Sequence, residues 1–137
     1  KKYDRVKETL RLAFVFCVFW SLGVAVVLGV FYPFIASTFS DDAQVVEYTR
    51  LFFWIVPITY AFANIVHGWG SAFNAMGHPQ LSFAIIVTKM LVLMLPAVYI
   101  GYYLGGVVGL FCAIASVNLV GGGLIHVLSW KKFKAWL

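Results

Sequence analysis

The feature that most constrains this chain is the uncharged stretch at 51–88, bounded by Arg50 and Lys89. A bilayer core of roughly 30 Å is crossed by about 20 helical residues, so the stretch is too long for one crossing. The chain must therefore turn back within it. Gly77 and Pro79 are the best candidates, because glycine suits the left-handed residue after one helix and proline suits the first position of the next. The pattern predicts a transmembrane helical hairpin.

Composition places the chain among integral membrane proteins. Hydrophobic residues make up 63% of the 137 positions and charged residues 11%, against roughly 25% charged residues in soluble domains. Two further uncharged stretches lie at 12–40 and 90–130, and the mean hydropathy is +0.94. We expect an all-α, polytopic transmembrane helix bundle in the lipid bilayer, as a multi-pass protein of the plasma membrane, which in bacteria is the inner membrane.

The distribution of charge predicts the topology. We expect four spans at about 12–39, 43–76, 79–103 and 107–129, with outer turns at the acidic 40–42 segment and at the glycines Gly101, Gly105, Gly106 and Gly109. The net charge of +5 is concentrated in the tails, which hold eight of the ten basic residues: Lys1, Lys2, Arg5, Lys7, Arg11, Lys131, Lys132 and Lys134. Basic flanking segments remain in the cytoplasm. Both termini are therefore predicted to be cytoplasmic, and the charge does not indicate nucleic-acid binding.

Polar residues are predicted to share one face of the second span. Asn64, His67 and Ser71 are spaced by three and four residues, which places them on one side of a helix. Polar groups are costly in hydrocarbon, so this face should look toward protein or a wet cavity. Hydrogen bonding between helices and the lining of a cavity both remain open. Asn118 is the candidate polar contact of the fourth span, and Pro57 and Pro96 should kink the second and third spans.

Lys89 is the one full charge predicted inside the membrane core. It lies ten residues after Pro79, which at about 1.5 Å per residue is near the middle of the bilayer. A lysine there costs on the order of 2.5–3.5 kcal/mol, so it should face a cavity, a carboxylate or backbone carbonyls. The alternative is a lysine that snorkels to the inner interface.

No pattern in the chain indicates an enzyme. No nucleophile–base arrangement and no metal-ligand cluster is present, and Cys17 and Cys112 each lie inside an apolar stretch. No catalytic residue, metal site or cofactor is expected. The chain begins with Lys1 rather than Met, and residues 1–137 are predicted to form a single transmembrane domain that is a fragment of a longer protein.

The order of several short motifs resembles the multidrug and toxic compound extrusion (MATE) family of transporters. The stretch at 70–82, which contains the Asn-Ala-Met-Gly-His-Pro turn, resembles the turn that ends a helix in this family. Lys89 stands where members often carry a basic residue, ahead of Leu-Pro-Ala at 95–97. The glycine-rich 105–113 segment and Ser-Val-Asn at 116–118 resemble the entry and interior of the last helix, and 39–51 resembles an outside loop.

This resemblance implies the last four helices of one six-helix bundle, with the C-terminal bundle favoured. It implies a part of a cation-coupled antiporter, driven by H+ or Na+, that exports amphipathic organic drugs or organic cations. Family members hold the coupling ion on acidic residues of earlier helices, which have no counterpart in this chain. The partners would be the remaining helices of the same transporter, and the fragment alone is expected to be inactive.

Three other functions compete with this one. A lipid-linked oligosaccharide flippase of the same superfamily would place a basic cavity residue against phosphate. A small four-helix multidrug transporter fits the number of spans but requires a carboxylate within the membrane. The third competing function is that of a non-transporting membrane module built from close-packed helices.

Overall fold

The protein is described by a computed structural model for residues 2–136, with side chains from residue 4 onward. The chain is all-α, as predicted. It consists of α1 (Lys2–Phe39), α2 (Ala43–Ala75), α3 (Pro79–Val87), a π-helical segment (Thr88–Met94) and α4 (Leu95–Ala135). α1 packs along α2, and α2 packs against both α3 and α4.

The first turn, between α1 and α2, is closed by side-chain capping. Asp42 is the N-cap of α2, and its carboxylate accepts a hydrogen bond of 2.8 Å from the backbone N–H of Gln44. The Ser40 hydroxyl accepts a bond of 3.1 Å from the backbone N–H of Asp42. Such caps satisfy N–H groups that have no partner within the helix. The two helices are thus separated at 40–42, where the sequence predicted a turn.

The second turn, between α2 and α3, is formed as the sequence predicted. Gly77 has a φ of 81°, in the left-handed region that glycine adopts without a steric penalty. The His78 N–H bonds to the Phe73 carbonyl at 2.8 Å and the Gly77 N–H bonds to the Asn74 carbonyl at 3.1 Å. This pair of bonds is the Schellman motif. Pro79 then begins α3 at its first position.

The third reversal lies inside α4 and is tighter than predicted. Only Gly105 (φ −141°) and Gly106 (φ 60°) depart from helical geometry, so Gly101 and Gly109 are not turn residues. These two instead lie where the two halves of α4 touch, since a Cβ on Gly101 would come within 2.5 Å of the Gly109 carbonyl oxygen. Residues eight apart would be about 12 Å apart along a straight helix. α4 therefore folds back on itself at Gly105 and Gly106.

Three described helical stretches are long and apolar enough to cross a membrane: Asp4–Phe39, Ala43–Ala75 and Pro79–Ala135. The third has 57 residues and contains the reversal at Gly105–Gly106. Length and composition alone thus give three candidate helices, one of which is long enough for two crossings. Many of their large apolar side chains are exposed, which is typical of a surface that contacts lipid or further helices.

The helices pack through small residues at one end and aromatic residues at the other. Ser21, Ala25 and Gly29 of α1 are buried, and the ring of Trp54 lies 3.2 Å from the position of a Cβ on Gly29. This row of small residues thus faces another helix. Trp69, Phe73 and Phe133 form the buried aromatic core.

The two ends of the chain lie at the same end of the bundle. The Phe14 ring of α1 is 5.7 Å from the His126 ring of α4, and the His78 ring in the second turn is 4.4 Å from Trp136. The start of α1, the second turn and the end of α4 therefore lie together. The first and third reversals lie at the opposite end, because each is one helix length away along the chain.

Candidate functional site

Lys89 lies in a widened part of the helix. Residues Thr88–Met94 form a π-helix, and the Leu95 N–H bonds to the Met90 carbonyl five residues earlier. Pro96 follows at once, and its ring nitrogen has no hydrogen to donate, so the regular hydrogen-bond ladder cannot continue across it. Insertions of this kind are often found at functional sites. The sequence predicted a perturbation at Pro96 but not that it would reach back to Lys89.

The Lys89 side chain is buried among the helices, with 4% of its surface exposed. Among the described residues it has no hydrogen-bond acceptor and no carboxylate partner. Among the described residues, every side-chain nitrogen or oxygen that is fully inaccessible to solvent has a hydrogen-bond partner. It follows that the ammonium group reaches the surface of the bundle even though its stem is covered. His67 of α2 lies within electrostatic range of it.

The polar residues of α2 separate into two groups. Asn64 is half-buried, and its amide donates a hydrogen bond of 2.7 Å to the Ser21 hydroxyl of α1. His67 and Ser71 are exposed on the bundle surface, as is Asn74. The polar face predicted as one unit is therefore divided. At Asn64 it is hydrogen-bonded to α1, whereas at His67 and Ser71 it is exposed. Helical periodicity gives the face but not which neighbour covers it.

Asn118 takes part in a buried polar chain between α4 and α2. Its amide donates a hydrogen bond of 3.0 Å to the Thr59 hydroxyl, which itself donates to the Val56 carbonyl at 2.7 Å. Asn118 is 2% exposed and Thr59 is 4% exposed. Sequence reasoning missed Thr59, although it lies two residues after Pro57, where a disturbed hydrogen-bond ladder leaves room for side-chain partners. α2 continues as a helix through Pro57 to Ala75.

His126 is held by an indole. The Trp69 Nε1–H donates a hydrogen bond of 3.0 Å to His126 Nδ1, and the Trp130 ring stacks on the imidazole with a centroid distance of 6.2 Å. Because Nδ1 accepts, the neutral ring carries its proton on Nε2. Neither His126 nor Trp69 was among the candidate residues predicted from the sequence.

Within residues 2–136 no group of three or more His, Cys, Asp or Glu side chains could hold a metal ion. The described ion pair between Glu47 and Arg50 lies in the first turns of α2, where both side chains are exposed. Cys17 and Cys112 are free thiols. Among the described residues, Lys89 is thus the charged residue that is buried.

Comparisons with known proteins agree on one family. The MatE family model matches residues 1–100. A curated protein of Shewanella oneidensis, named as an FAD transporter, is 33% identical over 128 residues, which cover 93% of this chain and 28% of that protein. The chain thus spans little more than a quarter of the length of this relative.

Two solved structures share the fold. The bent form of the Vibrio cholerae MATE transporter VcmN aligns with a TM-score of 0.89 at 23% identity, over 98% of this chain and 31% of that one. A mutant of the same transporter, in which one aspartate is replaced by asparagine, aligns with a TM-score of 0.86 at 24% identity, over 94% and 30% of the two chains.

Proposed function

Because this chain belongs to the MatE family of membrane transporters, and is therefore not an enzyme, we propose that it forms four consecutive helices of a cation-coupled exporter of amphipathic organic compounds. The observation that carries the proposal is Lys89, whose stem is buried among the helices and whose ammonium group has no counter-charge among the described residues. An ammonium without a partner is costly within a membrane, and such groups mark substrate or ion pathways. Lys89, together with the exposed His67 and Ser71, faces the pathway for the cargo.

In this proposal the four spans are those expected from the sequence, about 12–39, 43–76, 79–103 and 107–129. The reversals at Asp42, Gly77 and Gly106 support the number of crossings. The position of the basic tails at one end of the bundle supports cytoplasmic termini in a bacterial inner membrane. The remaining helices of the transporter complete the pathway.

The coupling ion, H+ or Na+, binds outside these helices. The uncharged stretches at 51–88 and 90–130 supply no carboxylate to hold it. Proton or sodium coupling through a membrane protein requires a group that exchanges the ion, and carboxylates are the usual choice. The ion site therefore belongs to the part of the transporter that this chain does not contain.

A second candidate cargo is an organic phosphate. Lys89 favours it because an ammonium attracts phosphate as a point charge. The relative from Shewanella oneidensis is named for FAD, a dinucleotide that carries two phosphate groups. A flippase for lipid-linked oligosaccharides would use the same charge.

The test uses the full-length transporter in vesicles, under separate sodium and proton gradients, with a fluorescent organic cation and FAD as cargos. We expect Lys89→Ala to lower export of at least one cargo while the amount of protein in the membrane is unchanged. The control is Lys131→Ala, which removes an exposed lysine of the tail. A selective loss of FAD export assigns Lys89 to phosphate. Unchanged export of both cargos by Lys89→Ala contradicts the proposed role.

A further inference from the structure

A groove opens between α1 and α4 at the end of the bundle where the basic tails lie. Its volume is about 370 Å³. One face of α1 and one face of α4 line it, with residues spaced by three and four along each helix: Lys7, Arg11, Phe14, Val15, His126 and Trp130. Along α1, the cations Lys7 and Arg11 lie nearer the chain terminus than the apolar Phe14 and Val15. The groove therefore has a charged part and an apolar part.

The polar groups of the groove are all hydrogen-bond donors. Lys7 and Arg11 are exposed cations. His126 keeps its proton on Nε2, because Trp69 donates to Nδ1. No carboxylate is among the residues that line the groove, although Asp4 and Glu8 lie on the same helix. The charge of this site thus suits an anion.

The floor of the groove consists of packed aromatic rings. The Phe14 ring contacts the Trp69 ring at a centroid distance of 5.5 Å and the His126 ring at 5.7 Å. Trp130 stacks on His126 and directly precedes the basic residues Lys131 and Lys132, a position typical of tryptophan at a membrane interface. Side chains fixed in this way keep a preformed surface on which an acyl chain can lie.

We propose that this groove is a binding site for one anionic phospholipid. The phosphate lies between Lys7 and Arg11, and the upper part of an acyl chain lies against Phe14 and Val15. Basic pockets between transmembrane helices bind anionic headgroups in this way. A bound lipid ties the start of α1 to the end of α4, which lie far apart in the sequence.

The neighbouring groove provides a matched control. It lies between α1 and α2 at the same end and holds one cation, Arg5, beside Thr9, Leu10 and Met76. It lacks both the second cation and the aromatic floor. Arg5→Gln therefore removes one positive charge from the same helix without changing the proposed site.

The experiment is native mass spectrometry of the full-length transporter with equal concentrations of phosphatidylglycerol and phosphatidylcholine. We expect selective retention of phosphatidylglycerol. The double variant Lys7→Gln with Arg11→Gln should bind it roughly 30-fold more weakly, because each basic residue near a membrane surface contributes about a fivefold factor in affinity. The charge-preserving variant Lys7→Arg with Arg11→Lys, and the control Arg5→Gln, should retain it.

Four results would overturn the proposal. Equal retention of phosphatidylglycerol by the double neutral variant would remove the role of Lys7 and Arg11. Equal retention of phosphatidylcholine would show that charge does not select the lipid. Displacement of the lipid by millimolar inorganic phosphate would assign the groove to a soluble anion. A loss in Arg5→Gln as large as in the double variant would indicate the total charge of the tail rather than this groove.

Discussion

The contact between α2 and α4 predicts opposite effects for two adjacent glycines. A Cβ on Gly122 would lie 2.8 Å from the Phe62 carbonyl oxygen and 2.9 Å from the Phe62 Cβ. The neighbouring Gly123 has no atom within 4 Å of the same position. Gly122→Ala should therefore force the two helices apart, whereas Gly123→Ala should be accommodated.

The size of the difference follows from these distances. Carbon and oxygen atoms in ordinary contact are separated by more than 3.3 Å or so, so α2 must move by about half an ångström to admit the methyl group at Gly122. Overpacking of this kind costs about 1–3 kcal/mol. Both variants gain the same helix propensity, about 0.8–1.0 kcal/mol for alanine over glycine. The difference between the two variants therefore isolates the cost of the contact with Phe62.

The assay is thermal unfolding of the full-length transporter in detergent, followed by its intrinsic fluorescence or by loss of its monodisperse peak. We expect the Tm of Gly122→Ala to lie below that of Gly123→Ala by roughly 2 °C or more. Gly123→Ala should have a Tm equal to or above that of the unchanged protein. Equal Tm values for the two variants, or the reverse order, would refute the close approach of α2 and α4 at this point.

Two further substitutions test the buried polar chain and the second turn. Thr59→Val removes the hydrogen-bond acceptor of the buried Asn118 amide and should lower the free energy of unfolding by about 1–3 kcal/mol. Thr59→Ser keeps the hydroxyl and should recover most of the Tm. An unchanged Tm for Thr59→Val would contradict the hydrogen bond. Gly77→Ala puts a side chain on a residue with a φ of 81° and should lower the free energy of unfolding by about 1–2 kcal/mol. Gly105→Ala is the control, because its φ is −141° and the space around it is open. Equal losses of stability in the two variants would contradict the left-handed turn at Gly77.

Local backbone chemistry made the turns predictable from the sequence. Asp42 offers an N-cap side chain, Gly77 admits a positive φ, and Pro79 has no N–H to lose at the start of a helix. These requirements are satisfied within a few residues, so they can be found without knowledge of the rest of the fold. The family could be predicted for a similar reason, because the turn motifs occur in a fixed order along the chain.

The partners of the polar residues could not be predicted. Asn118 and Thr59 are 59 positions apart, and Asn64 and Ser21 are 43 apart. Periodicity indicates that a residue shares a face with its neighbours on one helix, but the rotation of that helix within the bundle depends on every side chain at the contact. The exposure of His67 next to the half-buried Asn64 is decided by such a rotation.

The π-helix at Thr88–Met94 could not be predicted from the sequence either. Pro96 indicates that one hydrogen bond is lost, but the chain can respond with a kink, a tighter turn or an inserted residue. The structure contains the inserted residue, in the form of a π-helix that includes Lys89. Leu93 of this segment lies against the helix beyond the reversal, near Gly121.

The most direct test of the central claim is the accessibility of single cysteines in intact cells. In the full-length transporter with Cys17 and Cys112 replaced, a membrane-impermeant maleimide is applied to four variants: Asp41→Cys, Gln80→Cys, Tyr103→Cys and Lys132→Cys. Four crossings with a reversal at Gly105–Gly106 predict labelling at Asp41 and Tyr103 and protection at Gln80 and Lys132. Labelling at both Asp41 and Lys132 from outside would instead require an even number of crossings between them, where the account has three, and would contradict it.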